Sequence, residues 1–73
     1  MTSSYTYQHY DPSNVVAKYI GFIGEALTMF EVNSKNQTIK SYPINSDQVE
    51  PAHATRANEL KGMRFNQVKV WAR

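Results

Sequence analysis

The chain has no cysteine, which removes disulfide staples, thiolate metal sites and thiol nucleophiles together. It also has no apolar run long enough for a membrane, since a spanning helix needs about 20 mostly apolar residues. The longest candidate, KYIGFIGEALTMFEV at residues 18–32, carries Lys18, Glu25 and Glu31 inside it. No membrane partner is expected. The first ten residues, MTSSYTYQHY, hold no basic segment followed by an apolar core, so no secretory signal is expected and the cytoplasm is the expected compartment.

Catalytic motifs are missing as well. His9 and His53 are the only histidines, and neither has a second ligand at a metal-binding spacing. No serine sits in a nucleophile elbow such as Gly-x-Ser-x-Gly. Glu25, Glu31 and Glu50 form no recognisable acid/base pair. The expectation is a non-enzymatic protein without metal or cofactor, because a water-excluding pocket is also hard to build at 73 residues. A chain this short makes one domain and buries only roughly 60% of its unfolded surface. Added burial, against a partner or in a homodimer, would therefore matter.

The few glycines and prolines mark the turns. Gly21 and Gly24 interrupt the apolar run three residues apart. A helix there places Val15, Val16, Tyr19, Ile20 and Ile23 on one side, with Ser13 or Asn14 as a cap. Two glycines at about 1 kcal/mol each, and several β-branched or aromatic residues, oppose it. A hairpin with Gly24 and Glu25 as a two-residue turn explains more of the residues. It sets Ile23 opposite Ala26, Phe22 opposite Leu27, Ile20 opposite Met29, Tyr19 opposite Phe30, and Lys18 opposite Glu31. Apolar, aromatic and opposite-charge pairs then fall in one register, each worth roughly 0.2–1 kcal/mol. GFIG also matches the bare Gly-x-x-Gly pattern with which KH domains clamp a nucleic-acid backbone. Phe22 and Ile23 between the glycines favour burial instead, so the run is read as scaffold.

The polar cluster in FEVNSKNQTIKSYPI predicts a second hairpin, and Pro43, which cannot donate to a ladder, predicts that residues 38–44 form an edge strand. Its NQT, Asn36 to Thr38, matches a glycosylation sequon that has no signal peptide to support it. A helix is predicted at about 51–61, with Pro51 at its first position and Gly62 just past its end. Its apolar side is Ala54, Ala57 and Leu60, and it exposes Arg56 and Lys61. MRFNQVKVWAR predicts a final strand at about 63–72, with a bulge at Asn66 and Gln67. The expected architecture is α+β: a three-stranded antiparallel meander over about 16–44, one helix, and a last strand pairing with the sheet. Residues 1–12 are an aromatic and polar arm, flexible or an edge strand, and residues 13–73 are the domain.

Function is sought at the two ends of the chain. The formal charge of +2 divides unevenly: Lys18, Lys35 and Lys40 against Asp11, Glu25, Glu31, Asp47 and Glu50 leave residues 1–50 at −2. Arg56, Lys61, Arg64, Lys69 and Arg73 against Glu59 leave residues 51–73 at +4. Such asymmetry points to an anionic partner. By parity, Phe65, Lys69, Trp71 and Arg73 share one face of the last strand. Cations interleaved with flat rings suit DNA or RNA, because they neutralise phosphates while rings stack bases. The candidate nucleic-acid site is therefore Arg56, Lys61, Arg64, Lys69, Trp71 and Arg73. The competing reading puts Phe65 and Trp71 in the core, with the cations as a solvating rim. Tyr5, Tyr7 and Tyr10 are candidate anchors for a protein partner, or fold back over the sheet. The alternative function is a protein–protein interaction module, an inhibitor or adaptor, acting through a strand edge or this arm by β-augmentation.

Overall fold

Gly24 stands at φ +62° in the computed structural model, which describes residues 11–73. That left-handed geometry costs a side chain energy and suits the first position of a tight hairpin turn. The turn joins β1 (Ala17–Ile23) to β2 (Ala26–Val32). All of the predicted pairs form: Ile23 with Ala26, Phe22 with Leu27, Ile20 with Met29, Tyr19 with Phe30, and Lys18 with Glu31. The helical alternative for this run is excluded.

The second hairpin joins β2 to β3 (Thr38–Pro43). Its turn is held by Asn33, whose side-chain oxygen accepts from the Lys35 and Gln37 amides at 3.0 Å each. Asn36 takes φ +61°, a conformation asparagine tolerates better than most residues. The four strands lie in the order β3-β2-β1-β4 and every pairing is antiparallel, so β3 is an edge strand, as Pro43 implied.

From β3 the chain crosses one face of the sheet through a short turn at Ser46–Gln48 and enters α1 (Pro51–Leu60). Pro51 opens the helix, and Gly62 at φ +82° turns the chain away from its end. The helix packs over β1 and β4. Ile20 and Ala57 are completely buried and, with Leu27, form the centre of the core. Phe22, Met29, Ile44, Val49, Val68 and Val70 pack around them. Alanine at position 57 lets the helix backbone approach the sheet closely.

The last strand departs from expectation. β4 covers only Val68–Ala72, and residues 63–67 form a loop. A turn closed by the Met63 amide on the Leu60 carbonyl at 2.9 Å starts that loop. The bulge lies not at Asn66 and Gln67 but between Lys69 and Trp71. Tyr19 pairs with Lys69 and Lys18 with Trp71, leaving Val70 as the extra residue. An extra residue reverses side-chain parity beyond it. Lys69 and Trp71 therefore belong to opposite faces, which corrects the single-face reading of Phe65, Lys69, Trp71 and Arg73.

Two rows of side chains cross the sheet next to each other on opposite faces. On the helix side, Lys40, Glu31, Lys18 and Trp71 run from β3 to β4. Glu31 is buried there; the Tyr42 hydroxyl donates to it at 2.5 Å and the Lys18 ammonium stands 4.0 Å away. A buried carboxylate needs such partners. On the other face, Ser41, Phe30, Tyr19 and Lys69 form the corresponding row. No described helix lies on this second face.

Asp11 caps the turn at Pro12–Asn14, accepting from the Ser13 amide at 2.9 Å and the Ser13 hydroxyl at 2.8 Å. These two bonds, the backbone one first, hold its carboxyl below the ordinary aspartate value. A depressed pKa means the cap's contribution is present above the unfolded value and lost as pH falls through the folded one. A carboxyl NMR titration should find Asp11 below an exposed reference aspartate, and the Ser13→Ala variant should bring it part of the way back. Ile20→Ala should lower the unfolding free energy by about 2–4 kcal/mol in urea denaturation. Ile23→Ala, at a side chain 60% exposed, should change it by less than about 0.5 kcal/mol.

Candidate nucleic-acid interface

The site is built from one strand and one loop. β1 presents Tyr19 on the helix-free face, where its partner across the β1/β2 ladder is Phe30 and its partner across the β1/β4 ladder is Lys69. The Lys69 ammonium stands 5.7 Å from the centre of the Tyr19 ring, within the range of a cation–π attraction. The loop after α1 then brings Arg64, Phe65, Asn66 and Gln67 beside the same tyrosine, and these five residues line a hollow of about 390 Å³. Phe65 is 83% exposed.

Gly21 sets the position of that loop. A Cβ at residue 21 would lie 2.8 Å from the Asn66 carbonyl oxygen and 3.4 Å from Cγ of Gln67. The loop thus crosses Gly21 at a distance that only glycine permits. The Asn66 side-chain amide donates to the Phe22 carbonyl at 3.2 Å and fastens the crossing. The glycine pair suspected of gripping phosphate has two structural tasks instead: Gly24 turns the hairpin and Gly21 seats the loop.

The other predicted cations do not join this cluster. Arg56 pairs with Glu59 on α1 at 3.0 Å. Lys61 pairs with Glu25 at the β1/β2 turn at 2.5 Å and lies 4.9 Å from the Phe22 ring centre. The Arg73 guanidinium donates to the Ser13 carbonyl at 2.6 Å, at the far end of the sheet. Trp71 is 43% exposed on the helix side, with the Lys18 ammonium 5.5 Å from its ring. Arg64 and Lys69 remain, and neither has a carboxylate partner among the described residues. The six candidates are thus dispersed over several regions, and neither aromatic is in the core. Tyr5, Tyr7, Tyr10 and His9 lie outside the described residues.

A second cleft, of about 230 Å³, lies beside the start of α1. Trp71, Lys18 and His53 line it together with Val49 and Val70. Among the described residues no group of three His, Asp or Glu stands close enough to hold a metal ion, and no helix is long and apolar enough to cross a membrane.

Tyr19 was missed as a site residue because its partners are set by non-local strand pairing. The available signal was the predicted Tyr19/Phe30 pair, two aromatic rings side by side on one face of the sheet. Phe65 was weighed, but by strand parity, which does not apply in a loop. Comparison with known protein families, with curated proteins and with solved structures finds no match.

Gly21→Ala tests the seating of the loop. The new methyl group meets backbone, which cannot yield as a flexible side chain does, so a cost of about 1–3 kcal/mol is expected. In a folded variant the amide resonances of Asn66 and Gln67 should shift more than those of the β2/β3 turn. Unchanged resonances at both positions would contradict the close approach.

Proposed function

We propose that this protein is a small non-enzymatic module that binds nucleic acid through the face formed by Tyr19, Arg64, Phe65 and Lys69. The observation carrying the reading is that two cations without a carboxylate partner among the described residues stand by the half-buried Tyr19 ring and the exposed Phe65 ring, on a side of the sheet that no described helix occupies. Unpaired cations attract phosphates without first giving up an ion pair. Rings beside them add attraction for base faces that is tolerant of sequence. Arg56 and Lys61, paired with Glu59 and Glu25, contribute little, and Arg73 and Trp71 lie away from the face. A cysteine-free chain is compatible with the reducing cytoplasm, which is the proposed location.

A protein partner is the second reading. Ile23 and Met63 are 60% and 57% exposed, and among the described residues β4 has no neighbouring strand on its outer side, so an extended segment or a second copy has an edge to join. Pull-down from nuclease-treated lysate separates the readings: a retained protein favours this one, and a partner lost on treatment favours the first. Sedimentation at several concentrations tests self-association.

A gel-shift titration with mixed-sequence DNA and RNA, at about 50 mM and about 200 mM salt, tests the main proposal. Binding in the micromolar range at low salt is expected, weakening as salt rises. The Arg64→Gln, Lys69→Gln double variant should lose about tenfold or more in affinity and reduce the log–log salt slope by about 1.4. Arg56→Gln and Lys61→Gln should stay within about twofold of the parent. Absence of micromolar binding at low salt overturns the proposal.

A further inference from the structure

We infer that the Tyr19/Phe65 hollow takes unpaired bases, so that the favoured ligand is a single strand and not a duplex; this rests on the nucleic-acid reading above. The first ground is the exposure of Phe65, 83% of whose surface meets water. A phenyl ring gains from nucleic acid chiefly by lying against the flat face of a base. In a duplex both faces of every internal base are already stacked. A ring on a loop reaches such a face only when the base has left the stack, as it has in single strands, loops and ends.

The second ground is the arrangement around the ring. Tyr19 supplies a second aromatic surface across a hollow of about 390 Å³, within the size range of small-ligand sites. Arg64 and Lys69 flank the two rings, which suits a backbone passing the hollow while a base enters it. One N–H of the Asn66 side-chain amide is taken by the Phe22 carbonyl. Gln67, exposed beside it, carries an amide that both donates and accepts and so can meet the edge of any base. Contacts of this kind accept many sequences.

The third ground is the helix. Duplex readers commonly lay a helix in the major groove with free cations on its outer side. Here α1 and its cap hold their cations in ion pairs, Arg56 with Glu59 and Lys61 with Glu25, and the helix packs on the sheet face opposite to Tyr19. Nothing on α1 is arranged to enter a groove.

The experiment is a fluorescence-anisotropy titration of the full chain with a labelled mixed-sequence oligonucleotide of about a dozen nucleotides, as single-stranded DNA, as single-stranded RNA and as duplex DNA, at about 50 mM salt. Both single strands should bind at least about fivefold tighter than the duplex. Phe65→Ala should weaken single-strand binding by about fivefold or more and leave duplex binding within about twofold. An urea melt of Phe65→Ala checks folding, and Phe65→Trp, which keeps a stacking surface, should retain single-strand affinity. Equal or tighter duplex binding overturns the inference and leaves the nucleic-acid reading intact. So does single-strand affinity that is indifferent to Phe65→Ala. Absence of binding to all three probes overturns both.

Discussion

Ile20 on β1 and Ala57 on α1 meet at the centre of the core, and the rest of the packing is arranged around them. Among the described residues one α-helix covers one face of the sheet, and these are the two completely buried side chains of its core. Their meeting requires β1 to keep its parity. A one-residue slip against β2 would send Ile20 to the helix-free face and Tyr19 into the core. The Gly24 turn and the Lys18/Glu31 pair guard the two ends of that register. At the end away from the turn, the penalty for error is a carboxylate buried without its ammonium and hydroxyl partners.

The parts of the fold legible in the sequence were those fixed by neighbours along the chain. The first hairpin could be read because turn chemistry and cross-strand pairing act over fifteen residues and agree with each other. The helix could be read from Pro51, its alanines and Gly62 for the same reason. The last ten residues follow a different logic. Where β4 begins depends on the loop crossing Gly21, a contact spanning 45 positions of the sequence, and no local pattern announces it. The extra residue at Val70 then decides which face receives Lys69 and which receives Trp71. Strand parity, sound for β1 and β2, misassigned a whole face for want of one residue. The candidate site shared that fate: Arg64 and Lys69 were visible as charges, whereas their grouping with Tyr19 was created by the loop and the bulge.

Charge in this molecule is sorted by geometry more than by number. The acidic side chains at Glu25, Glu31 and Glu59 each meet a cation, at the hairpin turn, on the helix side of the sheet and on the helix surface. Lysines also stand near the rings of Tyr19, Phe22, Tyr42 and Trp71. Such contacts are worth about 0.5–1 kcal/mol at exposed sites, so they orient flexible side chains more than they hold the fold together. Their effect is to place positive charge beside aromatic surface on both faces, with a neutralising carboxylate close by on the helix side and, among the described residues, none at Lys69.

The hydrogen bonds made by Arg73 have a further consequence. Its amide donates to the Val16 carbonyl at 2.8 Å and its guanidinium to the Ser13 carbonyl at 2.6 Å, so the first turn and the last residue of the described domain are immediate neighbours. These two bonds tie the entry to β1 to the exit from β4, so fraying of either strand at that end of the sheet must break both. The Tyr19/Lys69 pair of the candidate face stands only about 10 Å along the strands from that tie, so the same two bonds steady the row on which the face is built.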